Sequence, residues 1–167
     1  MRVPTRKVGN LPHVPVDHNI TEQKYKELER ELKKLKEKSH PQTVAEVKRL
    51  AEFGDFSENA AYGLAKGRLR WINQRILDLE QKIMRAVIIK KNTHNKKTVQ
   101  LGSTVTIEIA GQLKKYLILG ASETNPGKGI ISHLSPIGSA LMGSVVGEEI
   151  NLNIAGKNVS CKVLKIE

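Results

Sequence analysis

A single cysteine, Cys161, is all the thiol this sequence has. That excludes an internal disulfide and any zinc site built on several cysteines. Cys161 lies in an alternating apolar run, so it reads as a packed strand thiol rather than a nucleophile. Aromatics are scarce: one Trp, three Tyr and two Phe. The C-terminal half holds only Tyr116 among them, which is poor material for an aromatic pocket that grips proline or another small ligand. No stretch approaches the roughly 20 apolar residues needed to span a membrane. The N-terminus, "MRVPTRKVGNLPHVPVDHN", is charged but has no apolar core, so it does not read as a secretory signal, and a cytoplasmic protein is expected.

Positive charge, by contrast, is in excess. The net charge is +11, spread as +2 on residues 1–20, +5 on 21–90 and +4 on the remainder. A balance of this size predicts an acidic partner, with nucleic acid or a nucleic-acid machine first.

Residues 1–20, with Pro4, Pro12 and Pro15, read as a basic, extended or disordered arm. His13, Asp17 and His18 within it read as solvated groups more readily than as metal ligands. Thr21 is a good N-cap for the helix that follows, and Glu22 suits its positive end. Tyr25, Leu28, Leu32 and Leu35 then recur in steps of three, four and three, a heptad seam. Pro41 kinks or restarts the helix, and the pattern resumes at Val44, Val47 and Leu50 or Ala51 with its phase moved. A second seam runs through Ala65, Leu69, Ile72, Ile76, Leu79, Ile83 and Ala86. Two seams joined by the short "GDFSEN" break must fold back antiparallel. The hairpin spans 21–90, with arms of roughly 45–50 Å at 1.5 Å per residue. Residues 91–100 read as a polar linker, and from 101 to 167 the apolar period changes to two. Val105, Ile107 and Ile109, then Ile150, Leu152 and Ile154, then Val159, Cys161 and Val163 mark half-buried strands. "IEIAGQ" and "LNIAGK" predict two related hairpins, and "SPIGSALMG" a short helix ended by Gly143. The fold class is α+β: a helical hairpin, then a small, mostly antiparallel sheet.

Two carboxylates, Asp55 and Glu58, stand three residues apart at the hairpin tip. One reading is structural: Asp55 as N-cap and Glu58 at N3 approximate a capping box. The other is chemical: two exposed carboxylates make half a Mg²⁺ site, to be completed by water, phosphate or a partner. Behind the tip, Lys66, Arg68, Arg70 and Arg75 form a positive shaft. An acidic point on a basic shaft fits carrying a cation toward a phosphate while the shaft attracts the strand.

The run Gly54-Asp55-Phe56-Ser57-Glu58-Asn59-Ala60-Ala61-Tyr62 closely resembles the tip signature of the Gre family of bacterial transcript cleavage factors. The likeness extends over nearly the whole chain after the arm, including the proline in the first helix and the "SPIGSALMG…GEE" run. It implies a coiled-coil hairpin joined to an FKBP-like domain, acting as a monomer on bacterial RNA polymerase. That domain would dock at the secondary channel, with Ser135, Pro136, Gly138 and Leu141 at the docking surface. Phe56 would pack the tip or touch the polymerase. Asp55 and Glu58 would help hold a Mg²⁺ shared with the polymerase active site and not bound tightly by the free protein. That ion would be the second of a pair about 3.5–4 Å apart. Backtracked nascent RNA would then be cut by the polymerase itself, with this chain as catalytic cofactor rather than enzyme. Where many members of the family carry Glu, this chain has Ala61. A non-cleaving regulator of the polymerase channel with the same fold is the alternative.

Overall fold

The computed structural model describes residues 17–53, 59–89, 97–109, 111–154 and 157–167, with backbone alone at 153–154 and 157–158. His13, Asp55, Phe56 and Glu58 lie outside the described residues.

Helix α1 (Glu22–Lys34) starts where the sequence predicts, with the Thr21 hydroxyl accepting from the Lys24 amide at 3.1 Å. Helix α2 (His40–Ala51) follows without a break in direction of the chain, through one π turn at Leu35–Ser39. The cause is Pro41, which has no N–H to give and whose ring would strike the carbonyl four residues back. The helix widens instead, and the His40 amide reaches back five residues to the Leu35 carbonyl. A π turn adds one residue to the ladder. The inward face therefore moves on by one: after Leu28 and Leu35, the buried residue on α2 is Thr43, with Val47 and Leu50 half-buried. Thr43 settles its hydroxyl by donating to the Ser39 carbonyl at 2.8 Å.

Helix α3 (Ala60–Arg85) returns alongside both. Ala65, Ile72 and Leu79, at steps of seven, are its buried line. Leu79 is fully buried against Leu28 and Leu35, with Tyr25, Leu32, Ile76 and Ile83 around them. Ion pairs cross the seam from Arg75 to Glu31, from Lys36 to Glu80 and from Arg68 to Glu46. From Glu31 and Lys36 on to Glu46 the partners on α3 fall from Arg75 and Glu80 back to Arg68, so α3 runs antiparallel to α1 and α2.

The second core belongs to a five-stranded sheet of order β5-β4-β3-β7-β6. Its strands are β3 (Thr104–Ile109), β4 (Gln112–Leu119), β5 (Ile130–Ser132), β6 (Glu149–Ile154) and β7 (Lys157–Ile166). The two expected hairpins are β3–β4 and β6–β7, and β3 joins them by pairing antiparallel with β7. The β4–β5 pair is parallel, reached through the longer connection 120–129. Alternation puts Val105, Ile107 and Ile109 on the inner face with Cys161 and Val163. Burial raises the Cys161 thiol pKa, in keeping with an inert packing role. Helix α4 (Pro136–Leu141) covers this core, and Gly143, at φ +82°, ends it as its position predicts. Val99, expected in the linker, is 1 % exposed and packs in the same core, where its amide bonds the Ser144 carbonyl.

A small two-stranded parallel pair, β1 (Asn19–Ile20) with β2 (Val87–Ile88), closes the base of the hairpin. The last residues of the expected arm are thus tied down. Ile20 is buried, and the Val87 amide donates to the His18 carbonyl at 2.8 Å.

Candidate functional site

Among the described residues, Asn59 links the two helices at the end of the hairpin away from its base. Asn59 caps α3, its Oδ1 accepting from the Tyr62 amide at 3.0 Å. Its Nδ2 donates to the Leu50 carbonyl at 3.4 Å, serving one of the carbonyls that the end of α2 leaves over. The cap of α3 is therefore Asn59, and Tyr62 holds the third helical position. That overturns the capping-box reading for this helix, because Asp55 lies four residues before the cap and Glu58 one before it. The short polar side chain of Asn reaches its own helix amides as well as Asp does, and here its amide group also serves a second helix. Ala61 is exposed at the second helical position.

Between Asn59 and Leu77, α3 carries Lys66, Arg68, Arg70 and Arg75 and no acidic residue. The four do not form one patch. Residues two apart lie roughly 200° apart around a helix, so Arg68 and Arg70 face opposite flanks. On one flank the guanidinium of Arg68 bonds Glu46 at 2.9 Å, and that of Arg75 bonds Glu31 at 2.7 Å. On the other are Lys66, whose ammonium stands 5.2 Å from the Tyr62 ring centroid, and the exposed Arg70. The helical period alone divides them in this way; the structure adds the carboxylate partners of Arg68 and Arg75.

At the other end of the molecule, Ser135 caps α4 by accepting from the Gly138 amide at 3.0 Å, and it donates to the Ser132 carbonyl at 2.6 Å. Gly138 is buried; a Cβ there would stand 2.0 Å from the Ser132 carbonyl oxygen. Leu141 is fully buried. Both residues hold α4 on the sheet, so they support a surface from beneath instead of presenting it. The exposed apolar side chains beside α4 are Leu134, Met142, Val145 and Val146. Alternation patterns miss them because they sit in turns, outside any period.

The hairpin base meets the sheet through carboxylates. Glu123 accepts from the Thr21 amide at 2.6 Å and from its hydroxyl at 2.7 Å. Asp17 accepts from the amides of Asn19 at 3.0 Å and Ala121 at 2.6 Å, and His133 lies 3.6 Å away. Burial pushes the Asp17 pKa up, but those hydrogen bonds and the nearby imidazole outweigh it and leave it below the usual value. Asp17 is thus engaged by the backbone at the hairpin base. Among the described residues, no three His, Cys, Asp or Glu side chains converge on a metal-sized site, and no helix is long and apolar enough to cross a membrane.

Comparison with known proteins covers both parts. The family model described as "Transcription elongation factor, N-terminal" matches residues 18–88, and "Transcription elongation factor, GreA/GreB, C-term" matches residues 94–167. The transcription elongation factor GreA of Nautilia profundicola is 39 % identical over 139 residues, covering 82 % of this chain and 86 % of that one. Its counterpart from Macrococcus caseolyticus is 37 % identical over 153 residues, covering 90 % and 96 %. Among solved structures, GreA factor homolog 1 (Gfh1) of Thermus thermophilus is 26 % identical, covering 89 % of this chain and 97 % of that one. Its TM-score is 0.41, too low to bear on the fold.

Proposed function

This chain belongs to the GreA/GreB family of transcription elongation factors, and from that premise we propose that it stimulates RNA polymerase to cut its own backtracked nascent RNA. The observation that carries the reading is the cap. Among the described residues Asn59 caps α3 and bonds a carbonyl at the end of α2, so the first turn of α3 does not call on Asp55 or Glu58, which stand in the connection between the two helices, as its cap.

Two carboxylates are hard oxygen donors of the kind Mg²⁺ takes, one or two at a time, with phosphate and water as the other ligands. The donor set fits a shared ion and not a tight site in the free protein. When bound, that ion would supply charge to stabilise the attacking and leaving oxygens of phosphodiester hydrolysis. Asp55 would hold it directly; Glu58 would hold it or orient the attacking water. Lys66 and Arg70 on one flank, and Arg68 and Arg75 on the other, would draw the extruded RNA along α3. The sheet domain would dock on the polymerase through the apolar side chains around α4, and the hairpin would reach its active site. The protein works as a monomeric cofactor in the cytoplasm on this reading; the bond is broken at the polymerase's own centre.

The test is a stalled, backtracked elongation complex with Mg²⁺. The chain should shorten the RNA, and Asp55→Asn and Glu58→Gln should abolish most of that while still binding polymerase. Binding without any shortening by the parent chain would establish the non-cleaving regulator in its place.

A further inference from the structure

From Gly129 to Gly156 the chain has no Lys or Arg, and Glu148 and Glu149 are its only acidic residues, in a protein of net charge +11. The same stretch leaves apolar side chains in water. Leu134, Met142, Val145 and Val146 are between 36 and 54 % exposed, enough for a neighbour to cover. Leu134 follows β5 and Glu149 opens β6, the two outer strands of the sheet, so this face runs beside α4 from one edge toward the other. At its Leu134 end stands Asp17. The Asp17 carboxylate accepts from the Ala121 amide and lies 3.6 Å from the imidazole of His133, the neighbour of Leu134. The sixteen residues before Asp17, which lie outside the described residues, therefore join the hairpin base beside this face.

We propose that residues 1–16 cover this face in the free chain, laid from Leu134 toward Glu148, and that polymerase must displace them to dock there. The order of chemistry along the arm matches the order across the face. Nearest the anchor, residues 8–16 carry Val8, Leu11, Val14 and Val16 and no Lys, Arg, Asp or Glu. Farther out come the cations Lys7, Arg6 and Arg2, again with no acidic residue among them. An aliphatic stretch thus starts beside Leu134, and a basic one follows toward the carboxylates. The reach suffices. From Val16 to Lys7 an extended, proline-rich chain covers about 30 Å at 3.1 Å per residue. Five strands span only four spacings, roughly 19 Å in all. Glu148 accepts from the Val145 amide with one carboxylate oxygen, at 2.8 Å, and a carboxylate has a second for a cation. Glu149 has Lys162 opposite it in the ladder, so the charge match rests chiefly on Glu148. The tether also selects this occupant over a second copy. It holds the arm at about millimolar effective concentration, so a contact too weak to join two molecules still closes within one. The inference deepens the proposed function: the shielding of the docking surface rests on that reading, whereas the seat of the arm does not.

The seat is measured on the full chain with a nitroxide attached at Thr5→Cys. Cys161 is buried, so the label goes to the new thiol. At low salt the amide resonances of Val145, Val146 and Glu148 should broaden, and rising salt should weaken the effect. Arg6→Glu with Lys7→Glu should remove most of the broadening, and so should Leu11→Ser with Val14→Ser. No broadening at low salt overturns the inference. So does broadening that both pairs leave unchanged, since the tether alone would then bring the label there. Broadening passed from a labelled chain to an unlabelled one in a mixture also overturns it, because the occupant would be a second copy. The shielding is measured by competition for polymerase. The chain with Leu11→Ser and Val14→Ser should bind about threefold to tenfold tighter than the parent, as expected if roughly a tenth to a third of the parent is open. Unchanged affinity with the broadening lost overturns the shielding. If neither chain binds polymerase, the proposed function fails and the nitroxide still decides the seat.

Discussion

Gly120 marks the place where the hairpin base and the sheet come closest, and substituting it tests whether that contact sets the hairpin's aim. Its backbone, at φ −68° and ψ 160°, suits any residue, so Gly120→Ala adds a methyl group without backbone strain. That methyl carbon would stand 1.8 Å from the Asn19 carbonyl oxygen and 3.1 Å from an Asp17 carboxylate oxygen. Ordinary carbon–oxygen contacts begin near about 3.3 Å, so the two backbones must part by roughly 1.5 Å. The Ala121–Asp17 bond, now 2.6 Å, is then lost, and the pair of bonds from Thr21 to Glu123 is stretched. Hydrogen bonds to charged groups contribute about 1.5–3 kcal/mol each, and water recovers part of this once the contact opens. A loss of about 3 kcal/mol at the junction is expected, or roughly a hundredfold in its closing equilibrium. The hairpin and the sheet have separate cores, so neither should unfold. The assay is amide hydrogen exchange. Protection at Thr21 and Ala121 should fall by about two decades, while the amides of Leu79 and Val105 keep theirs. Protection at Ala121 within threefold of the parent would refute the reasoning, since the close approach would then relax without opening the contact.

The same junction should respond to acid. The folded Asp17 carboxylate has a lowered pKa, so its contribution is whole above the unfolded value of about 4 and is lost as pH falls through the lower folded value; Ala121 exchange followed from pH 6 to pH 2 should show that sign, and Asp17→Asn should flatten it. Deleting exposed Lys38 together with Pro41→Ala should give one continuous heptad seam and a hairpin that melts no lower than the parent. Deleting Lys38 alone should cost about 3 kcal/mol, because the proline would then sit inside a regular helix. Equal melting of the two deletion variants would disprove the account of the π turn. Asn59→Ala should cost about 1 kcal/mol in thermal or urea unfolding, whereas Asp55→Ala should leave stability unchanged within a few tenths; the opposite order would return the cap to Asp55.

Much of this protein is local, and what is local was readable in the sequence. The Thr21 cap, the seams through Leu28, Leu35, Ile72 and Leu79, the alternation at Val105–Ile109 and the stop at Gly143 each depend on residues within a turn or two of chain. The family resemblance, carried by "GDFSENAAY", likewise needed no coordinates. The phase shift after Pro41 was visible too, but its form was not. Whether a proline kinks a helix, breaks it or widens it depends on which register the opposite helix accepts, and α3 accepts the one with Thr43 inward. The cap of α3 stayed open for a related reason: Asp, Ser and Asn all cap, and three candidates, Asp55, Ser57 and Asn59, stood in one short run. The packing of α3 against the end of α2 selected Asn59, whose side chain, alone among the described residues, bonds both. The parallel pair β1–β2, the β4–β5 pairing and the bonds of Asp17 and Glu123 join residues up to 104 positions apart. No periodicity encodes such meetings. They are fixed when two separately formed cores come to rest against each other, and they orient the hairpin relative to the sheet.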